Sequence, residues 1–372
     1  MSAARIPRAT AGDKSARAVR RRADHHAGAR HAAYVLLALW ALNAILNPQF
    51  LSLRWQDGHA YGPLIDILNR AAPLMVVAMG MTLVIAVRGI DISVGAVVAI
   101  AAAVAASLVT REGASMPMTT AILGALGAAA VCGLFNGLLV VAGGIQPIIA
   151  TLILMVAGRG IAQLITDGQI ITIYHDPYFF LGSGFLLGLP FAPWLAFGVA
   201  ALFGLLKHRT ALGLFVQASG ANPAAARLAG VQAAGLLLAL YIACGLCAGV
   251  AGLMISANIK SADANNAGLL LELDAILAVA LGGTSLLGGR FSLRGSLLGA
   301  LIIQTLTTSI YALGIAPEVT LVVKAAVVFA VSISQAPVWR GWRERWQRRR
   351  AVSTSTSTLA DSKPAPSEGG PR

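Results

Sequence analysis

Ten stretches of the chain are almost wholly apolar: residues 32–47, 71–87, 92–110, 118–142, 147–166, 187–206, 231–257, 272–288, 295–314 and 317–336. A helix needs about 20 apolar residues to cross a bilayer, and most of these runs come close to that length. The pattern predicts an all-α membrane protein of about ten transmembrane helices. Several runs are short for a bilayer or interrupted by Gly and Pro, so broken or re-entrant segments are expected where backbone lines a cavity instead of lipid.

Composition sharpens this picture. Of 372 residues, 57% are apolar and 12% charged, against roughly a quarter charged in a soluble domain, which excludes a water-soluble globular enzyme. The net charge of +13 is a matter of the tails: residues 1–31 and 338–372 each carry 8 Lys and Arg, and the core between them is nearly balanced. No basic face for nucleic acid is implied.

Starting with the N-terminus inside and alternating, the cytoplasmic side receives both tails, Arg88, Lys207, Arg209, Arg227, Arg290 and Arg294, 22 cations in all. The opposite side receives 4: Arg54, Arg70, Arg111 and Lys260. This positive-inside bias predicts that both termini are cytoplasmic. The chain divides into a basic cytoplasmic tail (1–31), a membrane domain (32–336) and a C-terminal stretch (337–372). In the last, Trp339, Trp342 and Trp346 alternate with arginines, as in a segment lying along the inner headgroup layer. The basic leader is long for a cleaved signal peptide, so the first run is read as a retained span.

The chemistry expected of an enzyme is missing. There is no GxxxxGK[ST], HExxH or GxSxG, so ATP-driven work must come from another subunit. Cys132, Cys244 and Cys247 lie in apolar runs, where packing as small residues is the simplest reading, and no metal site is expected. Glu272 and Asp274 suit the start of a helix. Asp91 is explained by a local ion pair with Arg88, while Arg159 and Lys324 have no evident acidic partner. A self-sufficient secondary carrier or channel for a small polar solute is the alternative, and it requires a mid-span carboxylate for ion coupling.

The most informative polar segment is 207–230. Within it Asn222 stands as an N-cap, Pro223 at the first helical position and Gly230 past the end, which predicts a helix of about two turns. So short a helix needs a partner to pack against.

Three segments resemble the permease subunits of bacterial sugar ABC importers of the ribose type: GMTLVIAVRGIDISVG (80–95), GANPAAARLAGV (220–231) and ALGGTSLLGGR (280–290). More narrowly, IDILNRAAP (65–73), ATLILMVAGRG (150–160) and ADANNAG (262–268), with the run onward to Asp274, are similar to galactofuranose importer permeases. The resemblance implies an inner-membrane permease without catalytic residues or a cofactor of its own. Its partners would be a cytoplasmic ATPase that binds the ATP, a second permease subunit, identical or paralogous, and a periplasmic sugar-binding protein. It also implies that residues 222–230, with Asn222, Pro223, Arg227 and Gly230, engage the ATPase. Glu112, Asp176, Asp263, Asn265 and Asn266 would receive the binding protein. Passage of a sugar needs polar groups that exchange hydrogen bonds with hydroxyls, for which Asn136, Thr151, Gln163, Thr284, Ser285 and Gln304 are the candidates; each could equally bond a neighbouring helix.

Overall fold

The computed structural model describes residues 11–110, 117–314, 319, 321–326 and 329–330, with side chains from residue 29 onward. Glu112, the tryptophan-arginine stretch and most of the run 317–336 lie outside the described residues. Two compact units are distinguished, residues 1–324 and 325–372. The first unit is a bundle of helices.

Its helices are α1 (Ala11–Leu46), α2 (Pro63–Ala86), α3 (Val94–Val109), α4 (Met118–Val141), α5 (Pro147–Ile165), α6 (Asp176–Ser183), α7 (Phe191–Arg209), α8 (Leu212–Ala221), α9 (Pro223–Leu228), α10 (Ala233–Ile259), α11 (Leu271–Leu281) and α12 (Leu293–Ala312). Seven are long and apolar enough to cross a membrane: the 29–46 part of α1, then α2, α4, α5, α7, α10 and α12. The basic segment before the first apolar run is helical from Ala11. Two expected spans are shorter than the pattern suggests. Helix α3 has 16 residues, and α11 stops after 11, leaving Thr284 and Ser285 in a turn instead of a span.

Among the described residues six short strands form antiparallel pairs: β1 (Arg54–Gln56) with β2 (His59–Tyr61), β3 (Ile171–Thr172) with β6 (Ser261–Ala262), and β4 (Phe185–Leu186) with β5 (Leu189–Pro190). The Ala60 N–H donates to Gly188 O, tying the first pair to the third. Asn258 Nδ2, just before β6, donates to Gly182 O, just before β4, at 3.1 Å, so all six gather at one end of the bundle. The opposite end carries α8, α9, the turn between α2 and α3, and the turn after α11, joined by Gly289 N–H to Ala86 O at 2.8 Å.

Lipid competes with apolar side chains as well as a protein core does, so close packing and interhelical hydrogen bonds must hold such helices together. Helix α2 is the central element, buried from Ala71 to Ala86 apart from the half-buried Pro73. Against α10, the Cβ that Gly80 lacks would sit 2.8 Å from Cys244 Cα; Cys244 and Cys247 are free thiols packed there. Buried polar links add to this packing. Thr82 Oγ1 donates to Ser296 Oγ at 2.7 Å, joining α2 to α12, and Tyr178 shares a 2.6 Å bond with Ser256, joining α6 to α10. Each such link contributes about 0.6 kcal/mol.

Candidate functional site

At the end opposite the strands, α9 is closed at both termini. The Asn222 side chain accepts from Ala225 N–H at 3.1 Å, and Pro223 occupies the first turn, where its missing N–H costs nothing. At the other terminus Gly230, at φ +84°, lets its own N–H reach Arg227 O and the Val231 N–H reach Ala226 O, both at 3.0 Å. This is a Schellman closure, and its left-handed position favours glycine. Helix α9 is six residues long and shows water an exposed Arg227 and a Leu228 that is 92% exposed. Beside it a cleft of about 510 Å³ opens between the C-terminal end of α4 and the start of α10, with Val140, Val141, Arg227, Gln232 and Leu237 among its walls.

The chain entering α9 is clamped. Arg88 Nε donates to Gly220 O at 2.6 Å, and its terminal nitrogen donates to Ala221 O at 2.7 Å, so a guanidinium caps the C-terminal carbonyls of α8, where the helix dipole favours a cation. The expected Arg88–Asp91 ion pair is not formed. Arg88 closes α2 by the same Schellman pattern, its N–H on Ile85 O and that of Gly89 on Val84 O. Its φ of +69° turns the side chain toward α8. A non-glycine residue held left-handed costs about 1 kcal/mol.

Asp91 points inward instead and is 1% exposed. Its Oδ1 accepts from Ser93 N–H (3.0 Å), Ser93 Oγ (2.7 Å) and Asn136 Nδ2 (3.3 Å), and the Asn136 amide also donates to Ser93 Oγ at 2.7 Å. Thr151 on α5 accepts from Ile92 N–H at 3.2 Å and lies 3.3 Å from Ile90 O. Two of the six pathway candidates, from different helices, thus meet on the turn 87–93. Thr284 accepts from Ser292 N–H within the turn after α11, the Ser285 N–H donates to Arg290 O in that turn, and Gln304 donates to Thr308 one turn along α12.

At the strand end, Asp263 organises a turn, accepting from Asn266 Nδ2 (2.7 Å), Asn265 N–H (2.9 Å) and Asn266 N–H (3.2 Å). The Asn266 amide, those backbone donors and the Arg159 charge hold its carboxyl below the usual carboxylate range against some desolvation. Arg159 on α5 reaches into the same turn, donating to Ala267 O at 2.6 Å and Ala264 O at 3.2 Å. One turn further along α5, Gln163 donates to Asn265 Oδ1 at 2.6 Å, so a pathway candidate and a docking candidate are in contact. Asp176 is exposed at the start of α6 at this same end. Among the described residues no group of three His, Cys, Asp or Glu side chains is placed to hold a metal ion.

Comparison with known proteins settles the family. Residues 64–332 match the family described as branched-chain amino acid transport system / permease component. The galactofuranose transporter permease protein YtfT of Escherichia coli K12 is 52% identical over 301 residues, covering 81% of this chain and 87% of that one. The chain belongs to this permease family. The fructose import permease protein FruF of Bifidobacterium longum is 38% identical, covering 88% of this permease and 92% of its own length. The ribose import permease protein RbsC of Escherichia coli K12 is 37% identical, covering 79% and 89%. With seven long apolar helices among its described residues, the permease is a multi-pass protein of the inner membrane.

Sequence reasoning missed three features of the permease. Lys324 has a partner, Asp274 Oδ2 at 2.9 Å. Arg159 is held by backbone carbonyls, not by an acid. Glu272 is 2% exposed, its Oε2 makes no hydrogen bond among the described residues, and a Cβ on Gly95 of α3 would overlap it. Pairing every intramembrane cation with every intramembrane acid would have found the first; nothing local in the sequence signals the others.

Proposed function

We propose that this permease is the membrane subunit of an ATP-driven importer of galactofuranose or a related monosaccharide, and that α9 is where the motor grips it. The observation that carries the reading is the doubly capped α9 with Leu228 92% exposed. So short a helix has little stability of its own and calls for a partner surface, and the Arg227-lined cleft beside it offers a recess for that partner. The sugar follows from the galactofuranose, fructose and ribose permeases among the relatives.

In this reading the α9 end is cytoplasmic, because Arg88, Lys207, Arg209, Arg227, Arg290 and Arg294 cluster there against Arg54, Arg70 and Lys260 at the strand end. The described spans, with α3, α11 and the run 317–336, make ten crossings with both termini inside. The strand end is periplasmic. There Asp176, Asp263, Asn265 and Asn266 receive the sugar-loaded binding protein, a role the sequence also assigns to Glu112. Sugar then passes groups drawn from Asn136, Thr151, Gln163, Thr284, Ser285 and Gln304. ATP is bound and hydrolysed in a partner ATPase, a second permease subunit completes the pathway, and this chain needs no cofactor. Alternating access requires two states whose balance the motor shifts through Asn222, Pro223, Arg227 and Gly230.

Reconstitution of the permease with its ATPase and binding protein in proteoliposomes tests this. Sugar uptake is expected only with ATP and all components present. Uptake driven by an ion gradient in vesicles lacking the ATPase refutes it in favour of a secondary carrier.

A further inference from the structure

The turn 87–93 is bonded in two directions at once. On one side Arg88 holds Gly220 O and Ala221 O at 2.6 and 2.7 Å, the last two residues before the Asn222 cap of α9. The same contact is packed without slack: a Cβ on Gly220 would overlap Ala86 O and lie 2.5 Å from Gly289 N. On the other side Asp91 and Ser93 hold Asn136 of α4, and Ile90 and Ile92 flank Thr151 of α5. Arg88 occupies the left-handed closing position of α2, where glycine is the default residue. An arginine at a strained position whose guanidinium donates to two adjacent carbonyls points to a role for the side chain.

We propose that residues 88–93 are the joint that carries motion of the α8–α9 segment to α4 and α5, with Arg88 its cytoplasmic attachment. Arg88 is a positioning residue. It touches neither sugar nor nucleotide; it converts a displacement of the motor-gripped helix into a displacement of Asn136 and Thr151. The inference rests on the reading that α9 engages the ATPase. The flat guanidinium suits the task because two of its donors reach adjacent carbonyls at once, which an ammonium does only loosely.

The test uses the full complex in proteoliposomes and reads sugar moved per ATP hydrolysed. Arg88→Gln is expected to lower that ratio by about tenfold, and Arg88→Lys, which keeps the charge but not the fork, by about threefold. ATP hydrolysis continues in both. A merely structural role would lower assembly and hydrolysis together and leave the ratio alone. An unchanged ratio in either variant overturns the proposal. If Arg88→Gln fails to assemble, Arg88→Lys decides. Should both fail, hydrogen exchange of residues 84–95 in the wild-type complex decides: nucleotide turnover is expected to change their protection, and no change overturns the joint. A thiol crosslink from Ala224→Cys to the ATPase, scored in otherwise wild-type complex, separates the two readings. If it does not form, the docking of α9 fails and takes the joint with it; if it forms while the ratio stays constant in the Arg88 variants, only the joint fails.

Discussion

The double variant Asn222→Ala, Gly230→Ala attacks α9 at both ends. Removing the Asn222 oxygen leaves the Ala225 N–H, 3.1 Å away, without its cap, which costs about 1 kcal/mol. At Gly230 a Cβ would meet nothing within 4 Å, but the backbone stands at φ +84°. The effect of alanine there is therefore purely conformational, and again about 1 kcal/mol. If the two add, the ordered helix loses about 2 kcal/mol, or about 30-fold in population. A six-residue helix has no reserve of its own against such a loss.

If the ATPase engages only the ordered helix, ATP-driven uptake at saturating binding protein is expected to fall about 30-fold in the double variant and about 5-fold in Asn222→Ala alone. Asn222→Ser, which restores a capping oxygen, should return most of the activity. Membrane insertion is unaffected, since Asn222 and Gly230 are both exposed. Wild-type uptake in the double variant, at wild-type expression, refutes the idea that a preformed α9 is what the motor holds.

Four further expectations concern other residues. Arg227→Glu places a reversed charge where docking desolvates it, costing about 3 kcal/mol and about 100-fold in uptake with insertion intact; hydrolysis that remains fully transport-stimulated would reduce α9 to a connector. Gly95→Ala drives a Cβ into Glu272 Oε2 and Gly268 O and should lower the thermal midpoint in detergent through about 1–3 kcal/mol of overpacking; an unaltered midpoint contradicts the α3–α11 contact. Lys324→Ala strands Asp274, whose side chain is 23% exposed, so a double-mutant cycle with Asp274→Ala should give a coupling of about 1 kcal/mol, intermediate between exposed and buried pairs. The Asp263 carboxyl lies below its ordinary 3.8, so its contribution is present above that value and is lost only as pH falls through the lower, folded-state pKa; amide protection of residues 263–267 should persist to pH 4, and loss of protection between pH 6 and pH 5 contradicts the hydrogen-bonded turn.

How much the sequence made legible depends on the range of the forces involved. Lipid demands about 20 apolar residues in one continuous run, so α4 and α5, expected at 118–142 and 147–166, appear at 118–141 and 147–165. Helix α9 was legible because its signals, Asn222, Pro223 and Gly230, lie within nine residues of one another. The start of α2 was not: Asp66, Asn69 and Arg70 interrupt hydropathy, and the helix opens at Pro63 instead of residue 71. The turn 87–93 was misread for a different reason. Arg88 and Asp91 are close in sequence, but a left-handed residue between helix and turn sends the cation to α8 while the carboxylate turns inward. The true partners are 132 and 133 positions away for Arg88 and 45 positions away for Asp91 at Asn136, and no local pattern encodes such pairings. Lys324 and Asp274, 50 positions apart, are missed in the same way.

An interruption between two helices inside a bilayer protein is tolerable only if its freed backbone groups find partners. Here the partners come from several elements: Gly289 N–H meets Ala86 O, Thr151 meets the Ile92 N–H, and the Asp91 carboxylate meets the Ser93 N–H. A break so satisfied is stiff, because moving it alone would abandon a buried hydrogen bond at a cost of about 1–3 kcal/mol each. The segment 86–93 and the turn at Gly289 must therefore shift as a body with the side chains on α4 and α5 that hold them. A displacement imposed at Ala221 thus has a hydrogen-bonded route, through Arg88 and the turn, to Asn136 and Thr151. The same bonds that make a broken helix stable in lipid make it suitable for transmitting force.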